Sequence, residues 1–375
     1  MQDMNRSSEK TCLSVVTDEF KCIPNTAFPM VLTGVLLYCR SMISMLFLGR
    51  LGELALAGGS LAIRFANITG YWVLSGLSME MEPICGQAFG AKRYKILGLT
   101  MRKMILFLLL TSTAIAALYL VAQSVLHPLR AYLRAQSITL PLTCCSTLAI
   151  LLHIPINYLL VTVLNLGIKG VTLGSVWINI NLVDSLIVYL KISGVYKKTW
   201  DGISSECLKG WKYLLDLSFP SCISVCLEWW WYEIMILLCG LLLNPQATIA
   251  SMGILIQKTS LIYIFPSSLS FGVSIRVGNE LGANNPNKAK LALIIGLSSS
   301  SVLGLSALIF AILVQKKWAT MFTKDPEIIA LTSMVLPILG LCELGNCPQT
   351  TGCGVLRWTA KPKLIAISKH QPQCG

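Results

Sequence analysis

Nine stretches of this sequence are apolar for longer than a water-soluble helix requires: residues 25–49, 54–80, 98–126, 137–164, 170–193, 212–243, 246–272, 287–315 and 326–346. A helix needs about 20 apolar residues to cross the hydrocarbon core of a bilayer, and each stretch meets that measure. Of the 375 residues, 54% are hydrophobic and only 13% charged. That is about half the charge of a soluble domain, too little to coat a globule of this size in water. Disorder is excluded by the same composition. The fold class expected is therefore an all-α polytopic membrane protein. Single prolines inside the stretches (Pro29, Pro155, Pro220, Pro266, Pro337) are tolerated there, because neighbouring helices satisfy the freed carbonyls. No connection is large enough to be a soluble catalytic domain.

The formal charge of +13 does not point to nucleic acid. The cations punctuate the apolar stretches, as Lys92, Arg93 and Lys95 do, or Lys197 and Lys198, which is an orientation signal in a membrane protein. Most of the 14 cysteines lie within apolar runs (Cys39, Cys144, Cys145, Cys222, Cys226, Cys239), where a thiol behaves as a small hydrophobe. Cys342, Cys347 and Cys353 have neither the spacing nor the histidine of a zinc site, so no metal or cofactor is expected. Residues 1–24 mix acids and bases without an apolar core and read as a polar tail rather than a signal peptide.

The chain contains one unit twice. Phe28-Pro29 and Gly49 recur as Phe219-Pro220 and Gly240; Leu77-Ser78, Gly86, Gly90 and Ala91 recur 192 residues later as Leu269-Ser270, Gly278, Gly282 and Ala283. The pair Leu133-Arg134 recurs only at Leu356-Arg357, 31 residues out of step. Between these landmarks the second copy holds two apolar stretches and the first holds one, so the first copy reads as short of a helix. Positive charge agrees. With nine simply alternating spans, Lys and Arg divide 12 inside to 15 outside; one more crossing before Leu133 makes the division 22 to 5, as the positive-inside rule requires. The segment 98–126 is long enough for one tilted helix, with 127–136 re-entrant or lying on the surface.

Ionisable groups deep in a span are costly and mark candidate sites. Glu228, in the middle of CLEWWWYE, leads them. Glu233 lies five residues on, about 140° around the helix, so the two carboxylates do not face the same cavity. Glu343 sits near the end of the last span with Asn346 about a turn further. Asp184 lies deep in its span, with Asn181 three residues before it and able to bond to it. Asn157 and Gln257 are candidate pocket hydrogen-bonders, and Trp229 offers a π-face to an organic cation. Lys258 lies within roughly 5 Å of the depth of Glu228 at 1.5 Å per residue from the turn near Asn244-Pro245, and a pairing of the two is expected. GQAFGAKRY and GNELGANNP lack the strand and the Gly-Lys-Ser/Thr ending of a phosphate loop. No His-rich box or Ser/His/Asp set occurs within the spans, so an enzyme is not expected.

LSMEMEPICGQAFGAKRY, PLRAYLRAQ, HIPINYLL, CLEWWWYE followed by LLNPQ, LSFGVSIRVGNELGA and GNCPQTTGCGVLR resemble the multidrug and toxic compound extrusion (MATE) family, and above all its plant DETOXIFICATION branch. The likeness runs over about residues 23–365. It implies two six-helix lobes with a V-shaped central cavity, of which this chain would hold about nine of twelve helices. The lobes would be 25–211, its fourth helix largely missing, and 212–365, its last two helices missing, with an atypical tail at 366–375. It also implies proton-coupled antiport exporting organic cations, xenobiotics or plant secondary metabolites from a multi-pass protein of the plasma membrane or of vacuolar or other endomembranes. Proton, substrate and lipid bilayer are then the partners. The alternative is a truncated, non-transporting or regulatory splice product of such a gene. Glu228 matches the acid of the family's seventh helix, and Asn346 stands about where many members carry an acid in the tenth. Trp358 stands where the family usually has glycine, and Lys258 replaces a small polar residue.

The charge count orients the chain. An epitope inserted after Gly194 should be reached by antibody only after the cell is permeabilised, and one inserted at 319–325 without permeabilisation. The opposite pattern would reverse the orientation.

Overall fold

The computed structural model describes residues 2–51, 65–115, 118–199, 211–242, 244–321 and 325–359, and these are helical apart from short turns. In chain order the α-helices are α1 (Gln2–Arg50), α2 (Trp72–Met79), α3 (Met81–Gly90), α4 (Tyr94–Ile115), α5 (Leu118–Ala135), α6 (Leu140–Asn157), α7 (Gly167–Ser193), α8 (Trp211–Cys239), α9 (Pro245–Gly282), α10 (Pro286–Trp318) and α11 (Pro326–Thr359). Two π-turns, Asn67–Tyr71 and Tyr158–Val163, lead into α2 and continue α6. Residues expected to form a polar tail are carried on α1 itself, without a break before the apolar part.

Six helical segments are long and apolar enough to cross a bilayer: Cys22–Leu48, Leu140–Val163, Gly167–Ser193, Ala247–Gly282, Pro286–Met321 and Pro326–Leu356. They coincide with six of the nine stretches read from sequence. The stretch 212–243 falls on α8, and 54–80 lies partly outside the described residues.

The stretch 98–126 is not one helix. It holds the end of α4 and the start of α5, and the Ser124 hydroxyl donates to the Leu108 carbonyl at 3.0 Å. Sixteen residues of continuous helix would separate those groups by about 24 Å, so the chain reverses between them. The distribution of Lys and Arg asks for one more crossing in this region; the reversal supplies a change of direction there, while neither α4 nor α5 is among the six segments long and apolar enough to cross. The reversal also replaces the expected re-entrant 127–136, which forms the second half of α5. Each copy of the repeat therefore carries two helices after its Gly-Ala landmark. They are short in the first copy (22 and 18 residues in α4 and α5) and long in the second (33 and 34 in α10 and α11). Most of the 31-residue offset is thus a difference in helix length, and the rest lies in the longer connection between α10 and α11.

The duplicated Gly-Ala landmark ends a helix in the same way both times. In the first copy Ala91 caps α3, Lys92 takes φ 59°, and the Arg93 amide bonds to the Ala88 carbonyl at 2.8 Å. In the second Ala283 caps α9, Asn284 takes φ 63°, and the Asn285 amide bonds to the Glu280 carbonyl at 2.8 Å. This paired capping pattern satisfies carbonyls that a helix end leaves open. It gives both glycine-rich motifs a structural role in place of anion binding.

The chain divides into two compact units, Met1–Val31 with Tyr232–Gly375, and Leu32–Trp231. In the first, α9, α10 and α11 pack around Val273, Val277, Ala292, Ile295 and Val355 at one level and Ile254, Leu255, Trp318 and Leu336 at another. Small residues let these backbones approach closely, as they do between membrane helices. A Cβ at Gly304 would lie 2.8 Å from the Glu343 carbonyl oxygen and 3.1 Å from the Leu344 Cα; one at Gly340 would lie 2.7 Å from the Ala311 Cβ. Trp358, nearly fully buried, lays its indole against Gly278. Outward positions such as Val302, Leu313 and Met334 are apolar and exposed, a surface suited to lipid. In the second unit, α1, α6 and α7 share a core of Phe47, Leu48, Val161 and Val171.

Replacing Gly304 by alanine should force α10 and α11 apart and cost about 1–3 kcal/mol, the usual range for overpacking. A lower melting temperature in detergent would register it. Gly345→Ala, where nothing lies within 4 Å, should leave that temperature unchanged.

Candidate functional site

The interior of the unit Leu32–Trp231 is polar where α1, α6 and α7 meet. Arg40 projects from the apolar part of α1, and its Nη1 donates to the Asn179 Oδ1 of α7 at 2.9 Å. The Asn179 amide nitrogen donates in turn to the Ser175 carbonyl at 3.1 Å, and Asn179 is fully buried. One turn after Arg40, the Ser44 hydroxyl meets the His153 Nε2 of α6 at 3.3 Å. Nearer the start of the span, Thr33 and Thr143 share a hydroxyl bond of 2.9 Å. Asn157 donates to the His153 carbonyl at 2.9 Å, while its Oδ1 is buried without a hydrogen-bond partner. Gly174 makes room for it, since a Cβ there would lie 2.6 Å from that oxygen. The π-turn begins at the next residue, where the Leu164 amide reaches back to the Leu159 carbonyl at 2.9 Å.

A second cluster in this unit joins α2, α3, α5 and α8. Trp72 and Trp229 stack with centroids 3.9 Å apart and planes 8° from parallel, and Tyr71 packs edge-on against Trp72 at 4.9 Å. One turn on from Trp72, Gly76 brings α2 against α8, where a Cβ would lie 2.7 Å from the Cys222 Cα. A further turn on, Glu80 accepts a bond from the Ser221 hydroxyl. Glu82 on α3 and Arg134 on α5 form a mostly buried ion pair.

In the other unit the polar interior lies between α9 and α11. Ser251 and Thr332 share a hydroxyl bond of 2.9 Å, and the Ser270 hydroxyl donates to the Thr350 carbonyl at 2.9 Å. Between these cross-links sit Lys258, fully buried, and Glu343, 3% exposed. The Glu343 Oε2 accepts from the Asn346 Nδ2 at 3.0 Å and from the Cys347 thiol at 3.8 Å.

The structure brings Glu343 and Asn346 together as one hydrogen-bonded pair. Asn157 becomes part of the cluster around Arg40, and Gln257 is half-buried beside Lys258. Glu228 is exposed on α8 and Asp184 exposed on α7. The side chain of Glu233 lies outside the described residues. Three expectations change. Asn181 does not bond Asp184: its Nδ2 is buried without a hydrogen-bond partner, because bonding to Asp184 would carry it to the exposed side of α7. Trp229 turns one face to Trp72, so that face is not open to a cation. Lys258, expected to pair with Glu228, has its Nζ buried without a hydrogen-bond partner among the described residues. Sequence reasoning passed over Arg40, His153 and Asn179. An arginine in mid-span was the available signal.

A helical membrane protein with an ionisable interior and no strand among the described residues defines a class, and comparison with known proteins places the chain within it. The family profile MatE matches residues 29–124 and 220–369. The chain belongs to this family. It is 61% identical over 387 residues to Protein DETOXIFICATION 49 of Arabidopsis thaliana, covering 95% of this chain and 77% of that protein. It is 55% identical to Protein DETOXIFICATION 48 of the same plant, covering 93% and 71%. Among solved structures, that of the eukaryotic MATE transporter AtDTX14 superposes with a TM-score of 0.85 at 27% identity, over 92% of this chain and 84% of that one. An outward-facing multidrug resistance MATE transporter superposes with a TM-score of 0.75 at 14% identity, over 92% and 84%, a likeness of fold. The protein is thus a MATE-type efflux transporter, an integral multi-pass membrane protein and not an enzyme.

Replacing Asn179 by leucine would remove an acceptor of the Arg40 guanidinium. A hydrogen bond to a charged group is worth about 1.5–3 kcal/mol, and a loss of that order should appear as a lower melting temperature. Asn181→Leu, which removes no hydrogen bond made by the side chain, should be close to neutral.

Proposed function

We propose that this transporter is a proton-coupled antiporter, in which inward proton flow drives export of organic cations, xenobiotics or plant secondary metabolites. The observation that carries the reading is Glu228: a carboxylate midway along the 29-residue apolar α8, on an exposed face, next to the stacked Trp72–Trp229 pair. A carboxylate so placed accepts a proton or the positive charge of a substrate, one at a time. That exclusivity is what couples their opposite movements. The aromatic pair supplies flat apolar surface for a ring-bearing substrate beside the charge. Asp184, Asn157, Gln257 and the Glu343–Asn346 pair are the further polar groups proposed to serve proton or substrate, with Glu233 on the same helix as Glu228. The halves 25–211 and 212–365 are the proposed lobes, and the plasma membrane or an endomembrane such as that of the vacuole is the proposed setting.

The reading of a non-transporting product is the less supported one, since the chain superposes over 92% of its length on a eukaryotic transporter. Efflux of a fluorescent organic cation from proteoliposomes, driven by an imposed proton gradient, tests the proposal. The wild-type chain should export, and Glu228→Gln should lower the initial rate at least tenfold while leaving the melting temperature unchanged. Export that persists when the gradient is collapsed, or that survives Glu228→Gln, would overturn it.

A further inference from the structure

A groove in the unit that joins Met1–Val31 to Tyr232–Gly375 has no part in the transport reading. It holds about 260 Å³ between α1, α9 and α10. Ile23, Ala27 and Val31 of α1 form one wall, and Ile295, Ser299 and Leu303 of α10 the other. Each set recurs every four residues, along one face of its helix, so the groove runs lengthwise for eight residues, about 12 Å. Phe265 and Leu269 of α9 complete it. There α9 lies close to α1, since a Cβ at Gly272 would be 3.2 Å from the Ala27 Cβ. Ile23 and Ile295 are buried, whereas Phe28 and Phe265 are 70% and 40% exposed. One side of the groove is therefore open.

Shape and lining select the occupant. Ser299 is the one polar residue among those that line the groove, and none of them is charged, so an organic cation finds no counter-charge there. A methylene group takes about the room of a water molecule, about 30 Å³, so 260 Å³ holds about nine of them. An extended chain advances about 3.3–3.6 Å for every three bonds, so nine methylenes reach about 10 Å. Length and volume agree on a single acyl chain lying along the helices, as chains in a leaflet do.

The headgroup follows from charge. Lys288 is exposed on α10, seven residues before Ile295. Seven residues fall within about 20° of two full turns and advance about 10 Å, so Lys288 continues the line of the groove. The headgroup region of a leaflet is about 5–8 Å deep. An ammonium at that remove stands among phosphates while the groove lies among chains. By the distribution of Lys and Arg, this end of α10 faces the cytoplasmic leaflet, where acidic lipids concentrate.

We propose that the groove is a phospholipid site: it takes one acyl chain of an acidic phospholipid of the cytoplasmic leaflet, and Lys288 holds the headgroup phosphate. The bound lipid fastens the start of the membrane part of α1 to α9 and α10. The site involves one unit and stands whether or not the chain exports cations.

The test is photolabelling of the full chain in nanodiscs of phosphatidylcholine containing a minor fraction of phosphatidylglycerol with a diazirine on one acyl chain, mapped by mass spectrometry. Segments 23–31 and 295–303 should carry at least fivefold more label than the segment around Ile338 and Leu341, which are exposed on α11. Equal labelling would mean a passing annulus of lipid and would overturn the proposal. Ser299→Trp, which fills the groove, should bring 23–31 down to the α11 level; undiminished label would overturn it. Lys288→Gln should lower labelling by phosphatidylglycerol at least threefold and leave unchanged the labelling by phosphatidylcholine carrying the same diazirine. No selective loss would overturn the assignment. Should Ser299→Trp fail to fold, the wild-type map and Lys288→Gln decide. Displacement of the label by excess organic cation would give the groove to a substrate and also overturn the proposal. No proton gradient is imposed, so failure of the antiport reading would remain distinguishable.

Discussion

In a bilayer the backbone has no water to bond to, and every amide and carbonyl at membrane depth must find its partner within the protein. That constraint makes the described chain helical and governs its exceptions. Where α3 and α9 end, a left-handed residue folds the last amides back onto open carbonyls, once with Lys92 and once with Asn284. Where Pro155 removes a donor from α6, the helix opens three residues later into a π-turn that rebonds the backbone with a wider ring. Serine and threonine hydroxyls all along the helices donate to carbonyls three or four residues earlier, as Ser146 and Thr147 do. These polar side chains satisfy themselves on their own helix, and the outer surface stays apolar.

The charged groups have no such local solution, and they dictate which helices meet. Arg40 needs an acceptor from another helix and has it in Asn179. Arg134 requires Glu82, which ties α5 to α3. Between α9 and α11, by contrast, it is the bonds from Ser251 to Thr332 and from Ser270 to the Thr350 carbonyl that hold one register. Each charge that enters the interior thus acts as a specifier of packing, a task that apolar side chains in lipid perform poorly because lipid tails are as apolar as leucine. Glu228 and Asp184 are the contrast. They sit within apolar helices, yet on exposed faces.

Much of this was legible from residues alone. The apolar lengths announce membrane helices, the repeated Phe-Pro and Gly-Ala landmarks announce duplication, and the placing of Lys and Arg announces a reversal that the hydropathy of 98–126 conceals. The concealment has a physical cause. Gln123, Ser124, His127 and Arg130 are polar but buried against neighbouring helices, so α5 is embedded without reading as apolar. Composition along one segment does not reveal what its polar face touches. For the same reason Glu343 with Asn346 was visible as an i, i+3 pair, whereas the bond from Arg40 to Asn179 spans 139 positions and left no local trace.

By itself the sequence determined class, membership, duplication and the set of ionisable groups deep in apolar helices, because these follow from solvent preference and spacing along one strand of chain. Only the tertiary structure decided which of those groups meet one another and which lie on exposed faces. Arg40 went to Asn179, Trp229 gave one face to Trp72, Asn181 turned away from Asp184, and Glu228 stayed on an exposed face. A partner is a matter of register and rotation between helices, and both are set by close approach at glycines such as Gly76, Gly174 and Gly304. Such an approach is a property of two surfaces at once, which no single stretch of residues contains.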